Sequence, residues 1–122
     1  MKSENKSTKK FQKELNSGIV ALILLALLER ANEPMYGYQI AKSLEASGQD
    51  VPMMKQGALY PVLRSLEASG LLSSRVEPSV SGPPRRYYEI NGDGRETLQS
   101  WIKIWKNTKR IVNTVLQGGH HA

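Results

Sequence analysis

The chain of 122 residues fits one domain with a long element or two and is too short for a multidomain enzyme. Hydrophobic residues at 39% supply a modest core, and charged residues at 23% sit near the globular average, which argues against wholesale disorder. Seventeen Lys and Arg against eleven Asp and Glu leave +6, pointing to nucleic acid first and an anionic membrane second as partner, while the lack of cysteine excludes disulfides and thiolate chemistry.

Charge is concentrated at the start. Lys2, Lys6, Lys9, Lys10 and Lys13 stand against Glu4, and residues 1–10 read as a flexible basic arm. Such an arm can reach DNA phosphates or act as a plain solubilising tail. A first helix is expected from Phe11 to Ala31, ended by Pro34. Its apolar run, residues 18–28, falls short of the roughly 18–20 residues that span a bilayer. No small-residue cleavage site follows it, which disfavours a signal peptide. It reads as a helix buried on more than one side.

A second helix is expected from Tyr38 to Ser47, with Ile40, Ala41 and Leu44 at helical spacing. A third is expected from Lys55 to Ser69, with Leu59, Val62, Leu63 and Leu66 on one face. Both carry Ser-Leu-Glu-Ala-Ser-Gly, at 43–48 and 65–70, a helix-termination device used twice. Strands are then expected over Leu71–Val76 and Arg86–Ile90, joined by a long tip stiffened by Pro83 and Pro84. A last helix runs from about Gly92 to Leu116. Along it Leu98, Trp101, Trp105, Thr108, Val112 and Val115 form an a/d stripe. At ~1.5 Å per residue this helix outruns what a small domain can cover, so a second copy of the chain is the expected partner.

The fold class is therefore mainly α with a small β-hairpin, a winged helix-turn-helix with a long C-terminal dimerisation helix. The expected division is an arm at 1–10, the winged domain at 11–91, the dimerisation helix at 92–117 and a disordered tail at 118–122. The tail holds the two histidines, His120 and His121. Metal centres, cofactors and Ser-His or Cys-His catalysis are not expected.

In a helix-turn-helix the start of the second helix enters the major groove. Here Gly57 and Ala58 permit close approach, Gln56 can pair with adenine, and Lys55 can reach guanine or phosphate. Tyr60 and Arg64 lie a turn apart on one face. A solvated amphipathic helix would have a similar polar face. The wing adds a second signal, because Arg85 and Arg86 follow Gly82-Pro83-Pro84 and suit a narrow minor groove or its phosphates. Tyr87 and Tyr88 alternate, so one faces the core and the other outward.

Tyr36-Gly37-Tyr38-Gln39-Ile40, the run Gly57-Ala58-Leu59-Tyr60-Pro61-Val62-Leu63-Arg64, Gly70-Leu71-Leu72 and Gly82-Pro83-Pro84-Arg85-Arg86-Tyr87-Tyr88 together resemble the PadR family of transcriptional regulators, in its smaller branch. The resemblance implies a homodimeric winged-helix repressor that binds a palindromic double-stranded operator. By position it implies groove contacts from Lys55, Gln56, Tyr60 and Arg64, wing contacts from Arg85 and Arg86, and a phosphate contact from Tyr38. The strand position often held by tryptophan in the family is Val76 here, and the usual Leu-Thr before the last helix is Ile90-Asn91.

Trp101 and Trp105 are the candidate effector residues, two copies of which can sandwich a planar aromatic molecule across a two-fold axis. Trp105 falls where a multidrug-sensing lactococcal relative resembles it in having a drug-stacking tryptophan. Interface anchoring is the other reading; it is preferred for Trp101, and both stand for Trp105. An enzyme is disfavoured by scattered acids and the lack of a catalytic base in the body of the chain. A membrane-surface role would need the first helix exposed. The remaining alternative is a winged-helix protein-interaction module without specific DNA binding. Against it, a protein-binding wing has no need to be rigid and doubly cationic.

Overall fold

The computed structural model describes residues 5–46 and 56–118. In chain order the elements are α1 (Lys6–Ala31), β1 (Met35–Tyr36), α2 (Gly37–Ala46), α3 (Gln56–Ala68), β2 (Leu72–Ser79), β3 (Gly82–Ile90) and α4 (Gly92–Leu116). Among the described residues, four helices pack with one small antiparallel sheet of strand order β1-β3-β2, an α+β winged-helix arrangement.

Helix α1 starts at Lys6, not Phe11, because Asn5 caps it by accepting the Thr8 N–H on its side-chain oxygen at 2.7 Å. Lys6, Lys9 and Lys10 are therefore helical and not part of an extended arm. Over its full 26 residues α1 is long and apolar enough to cross a membrane by length and composition, which the run at 18–28 alone is not. A core helix meets the same criterion, and here Val20, Leu24, Leu25 and Leu28 are buried in the fold. Asn32 ends the helix in the left-handed conformation (φ 53°), its N–H bonding Leu28 O at 3.1 Å.

The two-residue strand β1 has no counterpart among the expected elements. It pairs Met35 with Tyr88 and Tyr36 with Tyr87, tying the start of α2 to the wing. Gln39 then opens α2 by accepting the Tyr36 N–H at 3.1 Å. The hairpin tip also differs from expectation. Pairing continues through Glu77–Arg85 to Ser79–Gly82, leaving only Val80 and Ser81 as the turn, with an irregularity between Glu77 and Ser79. Pro83 and Pro84 stand opposite that irregularity, where the ladder is already interrupted and their missing N–H groups cost little.

The core joins Leu24, Leu25 and Leu28 of α1 to Ile40 of α2, Leu59, Leu63 and Leu66 of α3, Tyr88 and Ile90 of β3, and Leu98 of α4. Val62, Ala41 and Leu44 pack half-buried against it. At the exit of α3, Gly70 takes φ +82° and Leu71 N–H reaches back to Leu66 O at 3.0 Å, the termination expected from the second Ser-Leu-Glu-Ala-Ser-Gly. Its first copy runs partly outside the described residues, as do Lys55, His120 and His121.

Asn91 binds three elements together. Its side-chain oxygen accepts the Gly94 N–H at 2.8 Å and caps α4, while its amide nitrogen donates to Gly70 O at 3.0 Å. Gly94 has to be small, since a β-carbon there would meet the backbone carbonyl of Leu71. Further along, Arg95 Nε donates to Glu29 at 2.9 Å and fixes α4 to α1.

Candidate nucleic-acid interface

The antiparallel register decides where each wing side chain points. Val76 opposes Arg86 and Ser74 opposes Tyr88, so these four share the face toward α3. Arg75, Glu77, Arg85 and Tyr87 share the other. Tyr88 is the core tyrosine and Tyr87 is half-buried and outward. The register thus turns Arg85 and Arg86 to opposite faces of the strand, although both border one cleft beside α3.

Arg86 Nη1 donates to Ser74 Oγ at 3.0 Å, and Ser74 Oγ donates to Glu67 of α3 at 2.7 Å. This relay anchors the wing to α3. Beside it Val76 is half-exposed and contributes little packing. On the other face, the Arg85 guanidinium lies over the Tyr36 ring at 4.4 Å from its centroid. Tyr36 is itself held by Tyr87, edge-on at 5.2 Å, and by Tyr38, stacked at 6.4 Å.

Acidic groups on the wing are engaged elsewhere. Arg75 takes both Glu77 and Glu89, which hold its guanidinium above the usual arginine range, mainly through the Glu77 hydrogen bond. Among the described residues, no carboxylate lies within bridging distance of Arg64, Arg85 or Arg86. Their charge is open to an external anion.

A cleft of about 260 Å³ opens between the wing and the helix pair. Tyr38, Tyr60, Arg85 and Arg86 all line it, together with Tyr36. Four of the seven residues expected from the sequence are thus brought together. Tyr38 is half-exposed at the start of α2, with the Lys42 ammonium 5.6 Å from its ring centroid. Tyr60 is half-buried, its ring so close over Gly37 that a β-carbon there would meet the hydroxyl at 2.6 Å. Arg64 is exposed on α3, outside the cleft lining. Gln56 opens α3, and Lys55 lies outside the described residues.

Burial raises the Tyr88 hydroxyl above the ordinary tyrosine value, with Arg86 and Arg64 pulling the other way. Tyr36 belongs to the motif but has no role that the sequence assigns. A two-residue strand carries no periodicity, so nothing in the pattern places Tyr36 beneath Arg85.

A second cavity, of about 450 Å³, lies between α1 and α4. Trp101 and Trp105 line it with Leu15, Ile19, Leu22 and Ile104. Trp101 is half-buried, whereas Trp105 is 39% exposed. Farther along, Ile111, Val112, Val115 and Leu116 are exposed apolar side chains on α4.

Residues 24–100 match the family model described as the transcriptional regulator PadR-like family. The chain belongs to that family. Among solved structures, it is 31% identical to a PadR family transcriptional regulator from Eggerthella lenta, covering 89% of this chain and 91% of that one, with a TM-score of 0.73. It is 27% identical to a PadR-like transcriptional regulator from Bacillus cereus, covering 85% and 97%, with a TM-score of 0.67. An uncharacterized protein of Lysinibacillus sphaericus is 26% identical over 98 residues, 80% of this chain and 87% of its own. The matched family is one of transcriptional regulators, and the four helices and small three-stranded sheet of this chain match its winged-helix structures.

Proposed function

We propose that this PadR-like protein is a cytoplasmic repressor that binds a palindromic DNA operator as a homodimer. The observation that carries the reading is the wing cleft, where two arginines without carboxylate partners among the described residues converge with Tyr38 and Tyr60 beside α3. Uncompensated guanidinium groups on a rigid hairpin suit phosphates and a narrow minor groove. Gln56, Tyr60 and Arg64 on α3, with Lys55 just before it, would take the major groove, where side chains at the start of a recognition helix meet base edges. Tyr38 would donate its hydroxyl to a phosphate. The arm at the start, the winged domain and the dimerisation helix are the working division, with α1 contributing from Lys6 onward.

Dimerisation through α4 and α1 is supported by the exposed apolar side chains those helices carry. A planar aromatic effector would be sandwiched across the two-fold axis between Trp101 and Trp105 of one copy and the same residues of the other, next to the α1–α4 cavity, whose lining is largely apolar. Widening that gap would move the two DNA-reading units relative to one another, which is how a ligand there would release the operator.

The test is binding to duplex DNA titrated against salt. Log affinity should fall steeply with log salt, and R85A/R86A should flatten the slope by about 0.9 for each phosphate the variant no longer neutralises. A slope unchanged in that variant would remove the wing from the interface. For the effector, planar aromatics should quench tryptophan fluorescence in wild type and not in W105A.

A further inference from the structure

The lysine-rich start of the chain gains a defined geometry once α1 opens at Lys6. Helical spacing separates its cations. Lys10 pairs with Glu14 at 2.8 Å, whereas Lys9 and Lys13 fall one turn apart on a different face. With Gln12, Asn16 and Ser17 they form one wall of a groove of about 640 Å³, and Ala58 and Val62 of α3 form part of the other. Gln12 Nε2 donates to Asn16 Oδ1 at 2.7 Å, which orders the polar floor between the lysines. No carboxylate lines this groove among the described residues.

The apolar stripe of α1 points elsewhere. Leu15, Ile19 and Leu22 face the cavity toward α4, on the far side of the helix from Lys9 and Lys13. A second copy of the chain packing on that stripe would leave the lysine face open.

Helix α3 consequently has two flanks. Glu67 and Tyr60 belong to the wing side, through the Ser74 relay and the wing cleft. Ala58 and Val62 belong to the α1 side. Gly57, Pro61 and Arg64 are exposed between them. A duplex seated on that exposed face has Arg85 and Arg86 along one edge and Lys9 and Lys13 along the other. The charge and its continuity with α3 commit this groove to the DNA backbone.

We infer that Lys9 and Lys13 form a second phosphate-binding site on the flank of α3 opposite the wing, gripping the duplex without regard to base sequence. This rests on the DNA-binding reading above. Contacts to phosphate position a protein but carry no base information, so removing the site should weaken all duplexes alike.

The experiment measures salt-dependent binding of the full chain to a duplex from upstream of its own gene and to a scrambled duplex of equal length. Four variants are compared with wild type: K9Q/K13Q, K9R/K13R, K103Q/K109Q and R85A/R86A. K9Q/K13Q should weaken both duplexes by the same factor and reduce the log–log slope by about 1.8 per protomer, the value for two phosphates left unneutralised. K9R/K13R should keep the slope. K103Q/K109Q removes the same charge from exposed positions on α4 and should keep nearly all of it. The proposal is overturned if K9Q/K13Q matches wild type while R85A/R86A flattens the slope, if K103Q/K109Q costs as much, or if arginine at both positions fails like glutamine. Salt-independent or absent binding by wild type would instead bring down the DNA-binding reading, and this site with it.

Discussion

Arg85 and Arg86 are neighbours in sequence with different duties, because a strand turns successive side chains to opposite faces. Arg86 is tied to α3 through Ser74 and Glu67, so it positions the wing as well as offering charge. Arg85 depends on the Tyr36 ring. An exposed cation–π contact is worth about 0.5–1 kcal/mol, or roughly a 2- to 5-fold change in equilibrium. Tyr36→Ala should weaken DNA binding by about that factor, and Tyr36→Phe, which keeps the ring, should not; fluorescence anisotropy with labelled duplex distinguishes them. Tyr88 gives a second test. Its folded pKa is raised by burial, so its contribution to stability is complete below the unfolded tyrosine value of about 10 and is lost as pH rises through the folded value. Urea unfolding at stepped alkaline pH should show that decline in wild type, and Tyr88→Phe should lack this part of it.

At the scale of elements, the joints matter more than the helices themselves. Asn91 caps α4 and holds the α3–β2 turn through Gly70 O. Asn91→Ala should cost about 1–2 kcal/mol, the value of a helix cap with one more hydrogen bond, read as a lower urea midpoint. The helices are legible in the sequence because their apolar residues recur at 3–4 spacing, and the buried positions Ile40, Leu59, Leu63, Leu66 and Leu98 follow that pattern. The start of α1 is not legible by that route because Lys6 to Lys10 carry no apolar period, although Asn5 is an available capping signal. The wing tip is misleading because Pro, Ser and Gly suggest a loop locally, whereas the Glu77–Arg85 and Ser79–Gly82 pairs come from the opposing strand. Four of the candidate DNA residues meet in one cleft as cations and aromatics that the motif already displays. Tyr36 and the Lys9–Lys13 groove depend on contacts between distant segments, which spacing along one segment does not encode.

For the whole molecule, the single chain leaves too much apolar surface uncovered. Val112 is 47% exposed and Val115 70%, near the C-terminal end of α4. A dimer that buries them should be disrupted by V112D/V115D, halving the mass seen by sedimentation while circular dichroism keeps the winged domain's signal. Operator affinity should fall with it, since two half-sites are held by one particle only when the dimer is intact.

A competition titration at physiological salt decides whether the proposed dimer binds DNA sequence-specifically. Labelled DNA from upstream of the protein's own gene is displaced by unlabelled palindromic or random duplex. Specific recognition should give a preference of about a thousandfold or more for one two-fold symmetric fragment, with half-sites about one or two turns apart. Equal displacement by palindromic and random DNA would contradict it and leave a winged-helix module that recognises proteins in place of an operator.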